Sequence, residues 1–339
     1  MLTNDDTATI REDGCRVSVI IPTLNAGSVL SLLIGQLQEQ TIKPYEIIVI
    51  DSESEDGTAQ RARKAGVHVL TVKRSEFDHG GTRNRAAAEA KGDILMFMTQ
   101  DALPYDDQLV EKLVRPLAAA DGDEASGGVA YSYARQLAHS EANALEQLAR
   151  LHNYPEQSHI RSYKDLDELG IKTFFCSNVC SAIRRNVFER MGRFQEPVIF
   201  NEDMFMAAKC ILNGYQVAYC AEARVIHSHN YSVAQQFKRF FDNGVSIRLN
   251  EWIRPYSAVG GAGSKLVRLQ LSGLNERRQW HLIPKLIVES AAKLLGFKLG
   301  QHYVRLPKFV VRRISMHPLI WNSLERRTNT AIDKKTLNQ

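Results

Sequence analysis

Short apolar runs alternate with segments of helical period through the first hundred residues. Between the first two runs, Leu30, Leu33, Ile34 and Leu37 recur at helical spacing, and Thr58 is placed to cap the next helix. Four runs rich in β-branched residues predict strands, at residues 17–21, 46–50, 67–72 and 94–98. This alternation predicts an α/β fold with a mixed, mainly parallel sheet flanked by helices.

Polar loops follow the predicted strands. Residues 22–27 follow the first strand, Asp51 ends the second, and Asp101 follows the fourth. In open parallel sheets, ligands bind outside the carboxyl ends of the strands, where such loops collect. The pattern therefore predicts one binding cleft that is bordered by the first loop and by both acidic residues.

The C-terminal third has a different pattern. Beyond residue 235 the strand signal fades, and glycines at residues 260–264 predict a flexible break. Residues 281–299 predict an amphipathic helix that either packs on the rest of the protein or lies on a membrane surface. Its predicted apolar side consists of Ile283, Leu286, Ile287, Ala291, Leu294 and Leu295. We expect three regions, namely a tail at residues 1–14, an α/β domain at 15–235 and a helical region at 236–339.

Charge separates the same regions. The whole chain of 339 residues carries a net charge of +5, but residues 236–339 contain 19 Lys and Arg against 6 Asp and Glu. A region this basic is attracted to anionic surfaces, although it can also be a solvated face without a partner. The first residues are polar and acidic and lack the apolar stretch of a signal peptide, so we expect a cytoplasmic protein.

Several residues offer groups that a nucleotide diphosphate requires. Asp51 can accept the ring N3–H of a pyrimidine, or it can simply hold the turn before the next helix. Gly80 and Gly81 precede a predicted helix, where free N–H groups favour an anion, and Arg83 would add a contact to phosphate. Asp101 can hold a divalent cation that bridges two phosphates, or it can form a turn.

A second set of residues lies later in the chain. Asp203 precedes an apolar run, which places it in the first turn of a helix, where it can accept a proton or compensate the helix dipole. His227 and His229 close a predicted strand at residues 223–226, and their spacing of two puts them on one face. One of them can complete a metal site, or both can be structural.

Four of these elements, in this order, resemble glycosyltransferase family 2, the inverting transferases with the GT-A fold. They are the strand ending Pro22-Thr23-Leu24-Asn25, the segment 51–58, Asp101 and the pair Glu202-Asp203. The resemblance runs from about residue 15 to 232 and implies that Asp51 binds the base and that Asp203 is the catalytic base. It places the donor on Pro22, Thr23, Leu24, Asn25, Asp51, Glu53, Gly81, Arg83, Gln100 and Asp101. It places Asn178 and Glu202 on the acceptor side.

Further strings resemble the bacterial rhamnosyltransferase branch of this family. They lie at residues 77–84, 99–102, 227–232, 237–244 and 315–318. This narrower resemblance implies a dTDP-rhamnose donor and a lipid-linked saccharide acceptor in O-antigen, capsule or exopolysaccharide synthesis. The basic C-terminal region would then lie on the inner membrane surface, and no nucleic acid partner is expected.

The chain departs from the wider family at one position. Thr99 occupies the place where the family often has the first acid of Asp-x-Asp. We therefore expect Mg²⁺ or Mn²⁺ to be held by Asp101 with His227 and His229. Three alternatives stay open at this stage: a UDP-hexose or UDP-N-acetylhexosamine donor, a nucleotidyltransferase, and a non-enzymatic binder of anionic polymers.

Overall fold

The structure is a computed structural model that describes residues 15–118, 127–258 and 262–325. The described residues form nine strands: β1 Val17–Thr23, β2 Glu46–Asp51, β3 His68–Thr71, β4 Ile94–Met98, β5 Leu103–Pro104, β6 Val129–Leu137, β7 His159–Arg161, β8 Cys180–Arg184 and β9 Gln216–Ile226. They also form twelve α-helices: α1 Val29–Gln38, α2 Thr58–Lys64, α3 His79–Glu89, α4 Leu109–Ala118, α5 Ala144–Asn153, α6 Leu166–Leu169, α7 Arg185–Arg190, α8 Glu202–Leu212, α9 Val233–Leu249, α10 Ala262–Glu276, α11 Ile283–Gln301 and α12 Lys308–Ile314.

One mixed sheet organises the molecule. Its strand order is β3-β2-β1-β4-β8-β6-β9-β5, and β7 pairs with β9. The first four strands of this order are parallel, whereas β8 runs antiparallel to both β4 and β6. The predicted mixed α/β fold and the four predicted strands are therefore confirmed. Strands β2 and β4 lie on opposite sides of β1, so the strand order reverses there and the carboxyl ends of these strands border a crevice.

Both faces of the sheet are covered, which explains the continuous apolar runs. In β2, Ile48 and Ile50 belong to one buried cluster, and Ile47 and Val49 belong to the other. Successive side chains of a strand point to opposite faces, so a strand buried on both faces has no polar alternation. The predicted face of α1 is confirmed as well, since its buried residues are the four apolar ones at helical spacing.

The predicted boundary after residue 235 falls within helix α9. This helix buries Phe241 and Val245 in a cluster with Ile199, and Ile247 joins the main core. The predicted break is only partly described. Residues 260 and 261 lie outside the described residues, while Gly263 belongs to α10, so the expectation of a break at that glycine is wrong.

Helix α11 packs on α9 through glycines and not through its predicted apolar side. A Cβ on Gly300 would lie 2.1 Å from the carbonyl oxygen of Phe241, and one on Gly296 would lie 2.4 Å from that of Phe237. Leu286 is buried on this inner side. Ile287, Leu294 and Leu295, which the sequence placed with it, are instead 58–61% exposed. None of the described helices has the length and apolar character that crossing a membrane requires.

Candidate active site

Hydrogen bonds connect the loop after β1 both to the end of β4 and to the loop after β2. The backbone N–H of Leu24 donates to Oε1 of Gln100 at 2.8 Å, and Nε2 of Gln100 donates to the Leu24 carbonyl oxygen at 3.1 Å. The N–H of Asn25 donates to Oγ of Ser54 at 2.8 Å, and Oδ1 of Asn25 accepts the N–H of Glu55. Residues 22–25 are therefore held in a fixed shape beside the end of β4.

Asp51 is buried at the end of β2 and holds the turn that follows it. Its carboxylate accepts hydrogen bonds from Oγ1 of Thr23 at 2.9 Å and from both the N–H and Oγ of Ser54. An ionised carboxylate has about four acceptor positions, so one position is left for a ligand. Glu53 lies in the same loop with a positive φ of 56° and accepts the backbone N–H of Arg74 at 3.0 Å.

Two predictions about helix starts are wrong. Thr58 does not cap α2, because Gly57 occupies the N-cap position and the Thr58 hydroxyl donates to Asp56. The amides of Gly80 and Gly81 are not free for an anion. Asp78 is the N-cap of α3, and its Oδ1 accepts both N–H groups at 3.0 and 2.8 Å. The aspartate thus supplies within the chain the negative charge that this helix start favours.

Arg83 is also engaged within the protein. It is 4% exposed, its Nη1 donates to the carbonyl oxygen of His79 at 2.9 Å, and it lies 3.3 Å from Oε1 of Glu202. Glu202 is equally buried and accepts Nδ2 of Asn178 at 3.1 Å. The expected phosphate contact of Arg83 and the expected acceptor contacts of Glu202 and Asn178 stay predictions. In this structure Glu202 contacts the side chains of both Arg83 and Asn178, and the backbone N–H of Asn178 contacts Asp203.

Asp203 lies in the first turn of α8, as predicted. Its Oδ2 accepts the backbone N–H of Asn178 at 3.0 Å, and its Oδ1 accepts the N–H of Met204 at 2.8 Å. Burial, and after it the negative charge of neighbouring Glu202, raise the pKa of the Asp203 carboxyl to about 7, against the lowering effect of those two hydrogen bonds. A carboxylate with a pKa near neutrality is suited to accept a proton from a hydroxyl group.

Asp101, His227 and His229 converge at the opposite side of the cleft. Nε2 of His229 lies 3.3 Å from one carboxylate oxygen of Asp101, and Nε2 of His227 lies 3.6 Å from the other. One ligand atom from each of the three residues can be chosen so that all lie within 4.8 Å of one another. Both imidazoles come from the segment after β9 and face the same carboxylate, so the predicted same-face placement is confirmed.

Gln136 orients one of these histidines, a role that the sequence did not indicate. Nε2 of Gln136 donates to the hydroxyl groups of Tyr154 and Ser177, which makes Oε1 its acceptor. That oxygen lies 3.1 Å from Nδ1 of His227, so Nδ1 carries the hydrogen. The lone pair of Nε2 then faces Asp101, which is the arrangement of a metal-binding histidine. Burial lowers the pKa of His227 to about 3 and keeps the ring neutral.

A carboxylate in α9 fastens the C-terminal segment to this site. Oδ2 of Asp242 accepts the backbone N–H groups of Met316 and His317 at 2.8 and 3.1 Å. The His317 ring packs edge-on against His79 at the start of α3, with ring centroids 4.9 Å apart. Burial raises the pKa of Asp242 to about 7. The contact joins two strings that are distant in the sequence, 237–244 and 315–318.

Comparison with known proteins identifies the family. The glycosyl transferase family 2 domain matches residues 18–192, which include β1, the Asp51 loop and the Asp101 strand end. The chain belongs to glycosyl transferase family 2. It is thus a glycosyltransferase, and the matched segment contains the donor side of the cleft, while Asp203 and the two histidines lie beyond it.

Two O-antigen chain rhamnosyltransferases resemble nearly the whole chain. The O-antigen chain rhamnosyltransferase RfbN of Salmonella typhimurium is 41% identical over 91% of this chain and 97% of its own length. The O-antigen chain rhamnosyltransferase WbaN of Salmonella anatum is also 41% identical, over 91% of this chain and 96% of its own. This similarity extends beyond the family domain into the helical C-terminal region.

Solved structures share the fold at lower sequence identity. A mannosyltransferase from Pyrobaculum calidifontis, determined with GDP-Man and Mn²⁺, superposes with a TM-score of 0.54 at 16% identity and covers 92% of this chain and 86% of its own. Residues 1–349 of Staphylococcus aureus TarS, determined with UDP-GlcNAc, give a TM-score of 0.53 at 15% identity over 91% of this chain and 87% of its own. These similarities confirm the predicted GT-A fold.

Proposed function

We propose that this enzyme transfers L-rhamnose from dTDP-rhamnose to a lipid-linked saccharide during O-antigen synthesis, with inversion at the anomeric carbon. The observation that carries the proposal is the 41% identity, over 91% of the chain, to two O-antigen chain rhamnosyltransferases. The side chains of the site support it as well. Asp203 is a carboxylate suited to accept a proton, and Asp101, His227 and His229 form a candidate cation site.

Asp203 is the general base of this reaction. An acceptor hydroxyl gives its proton to the Asp203 carboxylate while its oxygen forms a bond to the anomeric carbon. The bond from that carbon to the diphosphate oxygen breaks, and its electron pair leaves with dTDP. Arg83 and Asn178 hold Glu202 in place beneath Asp203, so that the pair of acids keeps its geometry.

The donor lies along the carboxyl ends of β1, β2 and β4. Residues 22–25 form its border, and Asp51 binds the pyrimidine base through its remaining acceptor position. Gln100 joins the loop after β1 to the end of β4, and Glu53 joins the loop after β2 to the segment after β3. Thymine and uracil present the same N3–H to Asp51. The UDP-hexose alternative is therefore separated from dTDP-rhamnose by the contacts of the sugar and the methyl group, and not by this carboxylate.

Asp101, His227 and His229 would hold a divalent cation. The residues fit the ion because two neutral imidazole nitrogens and one carboxylate converge, and because Gln136 fixes the tautomer of His227. Imidazole ligands suit Mn²⁺ better than Mg²⁺, which prefers an oxygen shell. When bound, the cation supplies positive charge to the diphosphate group.

The enzyme works at the inner face of the cytoplasmic membrane, to which α11 attaches it. The outer face of this helix is apolar and exposed, with Lys285 and Lys298 beside it. An exposed apolar stripe flanked by lysines fits an anionic lipid surface. A small cavity lined by His229, Tyr231, Glu289 and Lys293 lies between the candidate cation site and the inner side of α11.

The test is to incubate the purified protein and Mn²⁺ with dTDP-rhamnose, UDP-galactose or UDP-N-acetylglucosamine and a lipid-linked saccharide acceptor. We expect acceptor-dependent release of dTDP from dTDP-rhamnose and a product that is heavier by one deoxyhexose. Preferential turnover of a UDP-sugar would replace the donor but keep the enzyme class. Release of pyrophosphate from a nucleoside triphosphate would instead identify a nucleotidyltransferase.

A further inference from the structure

Arg239 is a cation without an acidic partner beside the candidate cation site. It lies near the start of α9, half-buried, with its guanidinium 4.7 Å from the ring centroid of Phe200 and 5.6 Å from that of Tyr231. Within the described part of the chain, its side chain forms neither a hydrogen bond nor an ion pair. Aromatic faces hold a guanidinium in place and leave its N–H groups available for another acceptor.

The nearby arginines that border the cleft are neutralised inside the protein. Arg83 pairs with Glu202, and Arg150 pairs with Glu146 at 2.7 Å while it also donates to Gln136. A half-buried charge without a counter-ion is costly, so its persistence points to an anion that binds there. Arg239 is thus available to contact phosphate, as the sequence led us to expect of Arg83.

A row of rings connects Arg239 to both halves of the reaction centre. On one side, Tyr231 stacks 5.0 Å from His229, whose Nε2 lies 3.3 Å from Asp101. On the other side, Phe200 stands three residues before Asp203. The guanidinium is therefore placed between the candidate cation site and the loop that leads to the catalytic base.

The histidine rings at the Phe200 end of this row carry no positive charge. His79 and His317 pack against each other at the Phe200 end, and burial lowers the pKa of each ring to about 3. Both rings are neutral at physiological pH, whereas a guanidinium stays protonated. Arg239 consequently provides the positive charge of this row.

We propose that Arg239 binds the diphosphate of the nucleotide-sugar donor and stabilises it as the leaving group. This inference rests on the proposed function, because it requires a nucleotide-sugar substrate. A planar guanidinium can donate two parallel hydrogen bonds to phosphate oxygens, and such bonds strengthen as negative charge develops. The residue comes from α9, so the C-terminal region contributes directly to the donor site.

The experiment compares binding of dTDP and of dTMP by calorimetry for the parent protein, Arg239→Ala and Arg239→Lys. We expect Arg239→Ala to weaken dTDP about 10- to 100-fold and to leave dTMP within about threefold, because the contact is to the second phosphate. Arg239→Lys should recover part of the affinity, since it keeps the charge without the planar fork. If Arg239→Ala does not fold, the parent protein is compared with Arg239→Lys alone.

A matched control and a second ligand make the result specific. Arg248→Ala removes a guanidinium from the same helix that is paired with exposed Glu251, and it should leave dTDP binding unchanged. Equal loss of dTDP and dTMP, or no loss of either, overturns the role of Arg239 while the proposed function stands. Farnesyl diphosphate serves as a probe for a lipid diphosphate acceptor. If Arg239→Ala loses farnesyl diphosphate binding but keeps dTDP binding, Arg239 contacts the acceptor and the proposal is overturned. A parent protein that binds neither dTDP nor UDP overturns the proposed function itself.

Discussion

Glu202 and Asp203 are adjacent in the chain, yet their surroundings give them different chemistry. Glu202 is buried and lies in an ion pair with the Arg83 guanidinium. Asp203 accepts only backbone N–H groups in the described structure and has no ion-pair partner there, and burial raises its pKa to about 7. Asp203 is therefore the acid that exchanges a proton near neutral pH.

We expect the activity to rise with pH through about 7. Because the pKa of Asp203 is raised to about 7, the carboxyl is protonated below this pH and cannot act as a base. The value of kcat/KM should fall roughly tenfold for each pH unit below it. Asp203→Asn should lower kcat by roughly 10²- to 10⁴-fold and still bind dTDP.

Initial rates between pH 5.5 and 8.5 check this expectation, with Asp167→Asn as a control. Asp167 is an exposed carboxylate in α6, so its removal should change neither the rate nor the pH profile. A parent profile that is flat across this range, or an Asp203→Asn variant with full turnover, would show that another group takes the proton.

At the scale of elements, close packing of α9 and α11 depends on glycine. The Cα atoms of Gly244, Gly296 and Gly300 face backbone carbonyl oxygens of the partner helix, and any Cβ would lie 2.1–2.4 Å from them. Such contacts allow two helices to approach more closely than larger side chains permit. The same approach fixes α9, which provides Asp242 to the C-terminal segment and Arg239 to the cleft.

We predict that Gly300→Ala destabilises the protein by roughly 1–3 kcal/mol, because the added methyl group overlaps the carbonyl oxygen of Phe241. Gly35→Ala is the matched control. It lies in α1, where a Cβ meets no atom within 4 Å, and it should be neutral or stabilise by up to about 1 kcal/mol. Urea unfolding of both variants measures the difference. Equal stability of the two would mean that the helices separate without cost.

At the scale of the whole molecule, the C-terminal region has two different surfaces. Its inner surface packs on the catalytic core through α9 and the segment 315–317. Its outer surface includes the face of α11 that carries Ile287, Val288, Leu294 and Leu295, which are 52–61% exposed. Ile287 and Leu294, and likewise Val288 and Leu295, are seven residues apart, which is about two helical turns, so the four side chains form one stripe opposite the glycines.

We predict that Leu294→Gln with Leu295→Gln lowers binding to vesicles that contain anionic lipid by at least about tenfold, because two apolar side chains no longer enter the bilayer interface. Activity towards a water-soluble acceptor should be unchanged. Leu32→Gln is the control, since Leu32 is 52% exposed on α1. Co-flotation measures the binding. Unchanged flotation of the double variant, or a dimer of the parent protein that the double variant cannot form, would contradict the membrane role.

The sequence by itself determined the four strands at residues 17–21, 46–50, 67–72 and 94–98, the helices between them and the position of each strand-end acid along the chain. These features follow from local periodicity, which is read over fewer than twenty residues and which the buried sheet enforces. For His227 and His229, the residues alone left a structural role open beside a metal role, and only the structure shows that both contact Asp101. Resemblance to family 2 then indicated which of these acids carry the chemistry.

Only the tertiary structure decided which charged groups are free to bind a ligand. Arg83 and the Gly81 amide have the right chemistry for phosphate, but Glu202 and Asp78 occupy them. Arg239, more than 150 residues further along the chain, has no such partner among the described residues and lies beside the candidate cation site. A sequence shows which groups a chain possesses, whereas pairing between distant segments determines which charges are neutralised and which remain available.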